Sequence, residues 1–231
     1  MNYTAIIIEP RKHTALNFVL NNICDCLSDN WNIVLFHGDD NIEYCNNIVE
    51  NLNLIYNNRI QMVNLHIQNL SLTEYSKLLS TKSNIYDFIE ELFLVFQCDS
   101  MIFKKNADFI NKFLEYDYIG SPWLNTSYIP TKNCNFIGNG GFSLRKKSKM
   151  FEIMDKISYN NIYEDLYFST NYENIIVNKP EYELATTFSV DEVYNHNTFA
   201  CHKPWTHNHY ELFKQYYPEV EELRLLQNVE I

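Results

Sequence analysis

Glycine and proline are scarce, five and six residues among 231. No stretch therefore reads as a flexible or stiff linker, and one domain over residues 1–231 is expected. Positive charge is also in short supply: 18 Lys and Arg against 29 Asp and Glu leave a formal charge of −11. That balance argues against a nucleic-acid partner, whose backbone is bound by basic side chains displacing counterions. No apolar run approaches the roughly 20 residues of a membrane-spanning helix. Met1 to Pro10 lacks the basic start and small-residue cleavage site of a secretory leader, so a soluble, cytoplasmic chain is expected. Cys24, Cys26, Cys45, Cys98, Cys134 and Cys201 form no C-x-x-C pair and read as reduced thiols. G-x-G-x-x-G is missing, which leaves dinucleotide binding unsupported, and no Gly-Lys-Ser/Thr follows the glycine-rich stretch to make a P-loop.

What is abundant is apolar and aromatic surface, 46% and 15% of residues, enough for a substantial core and for tyrosines lining a groove. Tyr3 to Ile8, Trp31 to Phe36, Arg59 to Leu65 and Leu92 onward read as strands. Between them, His13 to Leu27 carries apolar residues at helical spacing, a second helix runs to about Asn53, and Ser71 to Leu79 begins with a Ser71/Glu74 capping box. Strand and helix alternate, so the fold class is α/β, a Rossmann-like, mainly parallel sheet flanked by helices. Helices are further expected over Asn84 to Glu91, Ala107 to Leu114, Lys146 to Ile157 and Asn208 to Gln227, the last broken at Pro218. Tyr116 to Trp123 is expected to run into a long loop through Asn135, and Thr198 to Trp205 to form an edge strand.

Four stretches carry polar residues where chemistry could sit. Leu92 to Ser100 is a buried run that ends in Gln97, Asp99 and Ser100, at the strand end where open α/β sheets bind ligands. Asp99 either caps the next turn or holds a cation. Gly138-Asn139-Gly140-Gly141 allows close approach of a ligand to the backbone, or forms a glycine-rich bulge, and Asn139 can bond a sugar hydroxyl or a neighbouring turn. Of the adjacent Glu164 and Asp165, one can cap a helix and the other face a cleft. The fourth is His202-Lys203-Pro204-Trp205.

Taken together, Glu9-Pro10-Arg11, Phe96-Gln97-Cys98-Asp99-Ser100, Tyr116 to Trp123, Gly138 to Arg145, Glu164-Asp165 and His202 to Trp205 resemble the GT-A glycosyltransferases. Within that class they look most like a family of glycosyltransferases found in giant viruses and bacteria, so the expected cytoplasmic location would be a host cytoplasm or a virion if the chain is viral. The resemblance implies a nucleotide-sugar-dependent transferase of hexosyl or N-acetylhexosaminyl type, inverting and assisted by Mn2+ or Mg2+, with a UDP-linked donor and a glycan or small acceptor. It implies Asp99 as a metal ligand, with Gln97 where the first acid of an Asp-x-Asp motif would stand; Lys203-Pro204-Trp205 matches the late motif of glycogenin-like enzymes, but Asn197 and Ala200 replace its histidine and glycine, and His202 is the candidate ligand instead. Glu9, Arg11, Gln97, Asp99, Ser100 and Lys203 would hold the donor. Gly138, Asn139, Gly140, Gly141, Trp123 and Trp205 would meet sugar or base. Asp165, with Glu164 close behind, would be the base that takes the acceptor's proton. The degenerate motif also admits a catalytically inactive domain that binds a glycan or nucleotide. A sugar-phosphate nucleotidyltransferase is disfavoured, because Glu9-Pro10-Arg11 is no basic glycine-rich loop.

Overall fold

A computed structural model of the chain describes residues 2–124 and 132–228. Most of the loop expected between Asn125 and Asn135 lies outside the described residues. The chain forms β1 (Tyr3–Ile8), α1 (Leu16–Cys26), β2 (Trp31–His37), α2 (Ile42–Ile55), β3 (Ile60–Asn64), α3 (Leu72–Leu79), β4 (Leu92–Phe96) and β5 (Ser100–Ile102). Then come β6 (Tyr118–Pro122), β7 (Ile137–Lys146), α4 (Lys147–Lys156), α5 (Glu164–Ser169), α6 (Tyr182–Ala185), β8 (Ser189–Val190), β9 (Ala200–His202), α7 (Tyr210–Tyr216) and α8 (Val220–Leu225). The capping box is present, the Ser71 side chain accepting from the Glu74 amide while Glu74 accepts from the Ser71 amide.

Six strands make the main sheet in the order β3-β2-β1-β4-β7-β6. β1, β2, β3 and β4 are parallel, whereas β7 runs antiparallel to both β4 and β6. Alternation along β1 sends Ala5 and Ile7 to one face and Ile6 and Ile8 to the other. Ala5 and Ile7 join a core with α1, α2 and the carboxyl-terminal helices. Ile6 and Ile8 pack with Leu79, Met150, Ile153 and Phe168 on the opposite side. Two-sided burial explains the long apolar runs of β1, β2 and β4. A three-stranded sheet, β5-β9-β8, stands beside the first.

Three expectations are corrected. Tyr116 to Trp123 contains strand β6, because Tyr118 and Ile119 are fully buried and pair with β7. The strand in Thr198 to Trp205 is central in its small sheet and ends at His202. The Leu92 strand stops at Phe96 with Gln97 and Asp99 beyond its carboxyl end, as expected, and the chain enters a different sheet at Ser100. Residues Asn84–Phe88 and Lys104–Lys112 are 3-10 rather than α-helical. No helix among the described residues is long and apolar enough to cross a membrane.

Candidate functional site

The sheet order reverses between β1 and β4: β1 leads outward to β2 and β3, and β4 lies on its other side. Loops leaving such neighbouring strands diverge and open a crevice at their carboxyl ends. Glu9 to Arg11 and Gln97 to Asp99 occupy those ends and line a cavity of about 240 Å³ together with His13, Ser71 and Gln227. A second cavity of about 190 Å³ is lined by Asn139 to Gly141, Tyr163 to Asp165, His202 and Lys203. The two share Leu72, Tyr75 and Gln97.

In the first cavity the buried Glu9 carboxylate accepts three bonds from Arg11, from the amide at 3.0 Å and from Nε and Nη2 at 2.8 Å each. These bonds raise the Arg11 pKa and fix a guanidinium whose side chain is 58% exposed. Glu9, His13 and Cys98 also bring potential metal-ligand atoms within 4.8 Å of one another. Both Glu9 oxygens are already engaged by Arg11, and burial holds the Cys98 thiol well above its usual pKa, so this set is poorly suited to a cation.

Asp99 and His202 are a better fit. Ser100 pairs with His202 in the β5-β9 ladder, and the Lys203 amide donates to the Asp99 carbonyl at 2.8 Å, so backbone register brings the two side chains together. Asp99 Oδ1 and His202 Nε2 face each other as a buried ion pair 3.2 Å apart, without the alignment of a good hydrogen bond and with no other partner. A carboxylate oxygen and an imidazole nitrogen at that spacing, bound to nothing but each other, also match adjacent ligands of a cation bound at roughly 2.0–2.2 Å. Burial disfavours charge on both groups. Their mutual attraction, aided by Lys203 on Asp99 and by Asp191 on His202, overrides it, lowering Asp99 to about 2 and lifting His202 to about 9. Lys203 itself takes a left-handed conformation, φ 33°, which is strained for a residue with a side chain.

The glycine-rich segment is a bulge. β6 pairs Gly120 with Ser143 but the next residue, Ser121, with Asn139, so Gly140 to Phe142 leave that ladder. A Cβ on Gly140 would sit 2.4 Å from Glu164 Oε1, and one on Gly141 would sit 2.2 Å from His202 Nε2. The acids and the imidazole therefore pack directly on bare backbone. Asp165 accepts from the Gly140 amide at 3.2 Å and from the Leu166 amide at 2.7 Å. Burial, then the neighbouring Glu164 charge, raises its pKa despite those bonds. Glu164 is differently employed: it accepts from Arg145 at 2.9 Å, and that guanidinium is fully buried.

Glu9, Arg11, Gln97, Asp99, Asn139, Gly140, Gly141, Glu164, Asp165, His202 and Lys203 thus line one or both connected cavities. Other expected residues face elsewhere. Ser100 Oγ is committed to the Gln97 backbone, accepting at 3.0 Å and donating at 2.8 Å. Gly138 abuts Ser169 and Trp123, and Trp205 packs on the larger core; none of Gly138, Trp123 and Trp205 lines either cavity. Asn139 uses its amide within the protein, donating to Asp191 at 2.8 Å and accepting from Gly141 at 3.1 Å. Tyr75, Arg145 and Asp191 went unassigned in the sequence. Arg145 lay within a stretch already singled out, and its apolar neighbours Leu144 and Phe142 hinted at burial, but Tyr75 and Asp191 had no such signal.

Among solved structures, the galactosyltransferase LgtC, in complex with donor and acceptor sugar analogues, aligns with a TM-score of 0.56 at 10% identity, over 100% of this chain and 98% of that one. The mannosyltransferase PcManGT from Pyrobaculum calidifontis, in complex with GDP-Man and Mn2+, scores 0.48 at 10% identity, over 72% of this chain. TarS from S. aureus, in complex with UDP-GlcNAc, scores 0.46 at 15% identity and is covered over 68% of its length. The chain spans only 50% of the PcManGT chain. The architecture is that of the GT-A glycosyltransferases. No curated protein matches by sequence. A family model described as "Protein of unknown function (DUF5672)" matches residues 59–202, and the chain belongs to that family.

Proposed function

We propose that the protein transfers one hexosyl or N-acetylhexosaminyl unit from a nucleotide-sugar donor, UDP-linked, to a hydroxyl of a glycan or small acceptor, with inversion. The observation that carries this reading is the junction of the two cavities at Leu72, Tyr75 and Gln97, with Asp99 lining one cavity and its partner His202 the other. The donor's nucleotide occupies the first cavity, where Glu9 presents the Arg11 guanidinium to base or phosphate. The acceptor occupies the second. A divalent cation held by Asp99 and His202 would neutralise the charge that grows on a departing diphosphate. Lys203 adds a fixed positive charge at the same end of the cleft. Asp165 takes the acceptor hydroxyl's proton as that oxygen attacks, the role its raised pKa suits. Glu164 is bound to Arg145, so its part is to hold the floor of the acceptor cavity.

Release of nucleoside diphosphate from a panel of nucleotide sugars, with and without Mn2+, tests this reading. The native protein is expected to release it from at least one donor, and Asp99→Ala to reduce the rate by about 10²-fold or more, the scale of losing one electrostatic contact to a leaving group. Gln97 in place of a first acid keeps a binding module as the second reading. Thermal stabilisation by a nucleotide sugar without any release would establish that alternative instead.

A further inference from the structure

The connection from β8 to β9 places one acid where three partners converge. Asp191 is 3% exposed. Its Oδ2 meets His202 Nδ1 at 3.0 Å and accepts from Asn139 Nδ2 at 2.8 Å, while Oδ1 meets His207 Nε2 at 2.9 Å. Asn139 in turn accepts from the Gly141 amide at 3.1 Å, and Gly141 is the residue on which the His202 ring rests. The contacts close a ring: Asp191 to His202, His202 onto Gly141, Gly141 to Asn139, and Asn139 back to Asp191. One member, Asn139, lies on the main sheet's bulge and another, His202, on the small sheet.

We infer that Asp191 is a positioning residue, which fixes the His202 ring with its Nδ1 proton on the acid and its Nε2 turned to Asp99, and at the same time sets the glycine bulge under that ring. A carboxylate behind an imidazole orients the ring and strengthens its outer nitrogen as a ligand. A ring without this support could rotate about its bonds and lose the 3.2 Å approach of Nε2 to Asp99. The role assigned to Asp191 rests on the reading of His202 as a metal ligand only for its consequence in affinity. The ring's orientation is a property of the protein alone.

The decisive experiment pairs two readouts on the native protein, Asp191→Asn and Asp191→Ala. Asparagine is isosteric and can keep its oxygen towards His202 and Asn139; alanine removes every contact. Proton NMR of 15N-histidine-labelled protein is expected to show a downfield, exchange-protected Nδ1 proton of His202 in the native protein, shifted upfield in Asp191→Asn and absent in Asp191→Ala. Mn2+ affinity, followed by the paramagnetic signal of the free ion, is expected to fall by about 10- to 100-fold in Asp191→Ala and by less in Asp191→Asn. Survival of the native signal in Asp191→Ala would overturn the inference. So would an unshifted signal in Asp191→Asn, which decides the matter if the alanine variant does not fold. A native protein with the protected proton but no Mn2+ binding would sink the metal reading while the orienting role of Asp191 held.

Discussion

Replacing Glu164 with glutamine is expected to damage the fold more than a lost cleft residue should. The Arg145 guanidinium beneath it is 0% exposed. Its Nη2 donates to Glu164 at 2.9 Å and its Nε to Ser143 at 2.9 Å, while its Nη1 is buried without a partner. Tyr118 and Phe168 rings lie 5.2 Å and 5.8 Å from the guanidinium carbon and give it only weak support. Glu164→Gln keeps the shape and removes the charge bonded to a desolvated cation, at a cost of up to about 3–5 kcal/mol, reduced by whatever the adjacent Asp165 recovers on ionising once the Glu164 charge is gone. For a domain of this size that corresponds to a fall in Tm of roughly 6–20 °C. Replacing both partners by apolar residues, Arg145→Met with Glu164→Leu, should recover most of the loss, because the pair's attraction largely offsets its desolvation. Urea unfolding of the native protein, Arg145→Met, Glu164→Leu and the double variant completes a double-mutant cycle that measures the coupling. A Glu164→Gln variant within about 1 kcal/mol of native would refute the account of an acid committed to a buried cation.

Asp165→Asn, by contrast, is expected to leave donor release in place while cutting transfer by about 10²–10⁴-fold, the usual contribution of a general base. The native pH profile of transfer should have an acid limb above the ordinary carboxylate value of about 4, since the base form appears only as pH rises through a raised pKa. The same shift makes the protonated Asp165 the form the fold prefers. Its stabilising contribution is therefore lost on raising the pH through that value, and Asp165→Asn should gain in Tm relative to native over the same span. Gly141→Ala, whose Cβ would lie 2.2 Å from His202 Nε2, should displace the imidazole and weaken Mn2+ binding. Unchanged Mn2+ affinity there would show that the ring has another place to go.

Much of the architecture is legible in the sequence because period and burial agree locally. Leu16, Val19, Leu20 and Ile23 recur at helical spacing and are all buried, and the apolar runs of β1, β2 and β4 are continuous because helices cover both sheet faces. The glycine segment is legible as a bulge for a similar reason. Its purpose is not, because the groups that demand bare backbone, Glu164 and His202, come from distant parts of the chain. Asp191 is one acid among 29 Asp and Glu, and only the pairing of β8 with β9 carries it to His202. The strand in Tyr116 to Trp123 is hard to see in the sequence because Gly120 and Pro122, both unusual within strands, lie in it, with register shifts after Gly120 and again before Pro122.

The passage from Phe96 to Ser100 spans the two sheets with three residues, Gln97 to Asp99. Ser100 knots that span through two bonds to Gln97, so it behaves as a stiff strut rather than a swivel. The same span carries Asp99, which lines the first cavity, and Gln97, which lines both. Ser100→Ala would remove both of those bonds and so act on the placement of Asp99 and Gln97 from outside the cavities that they line.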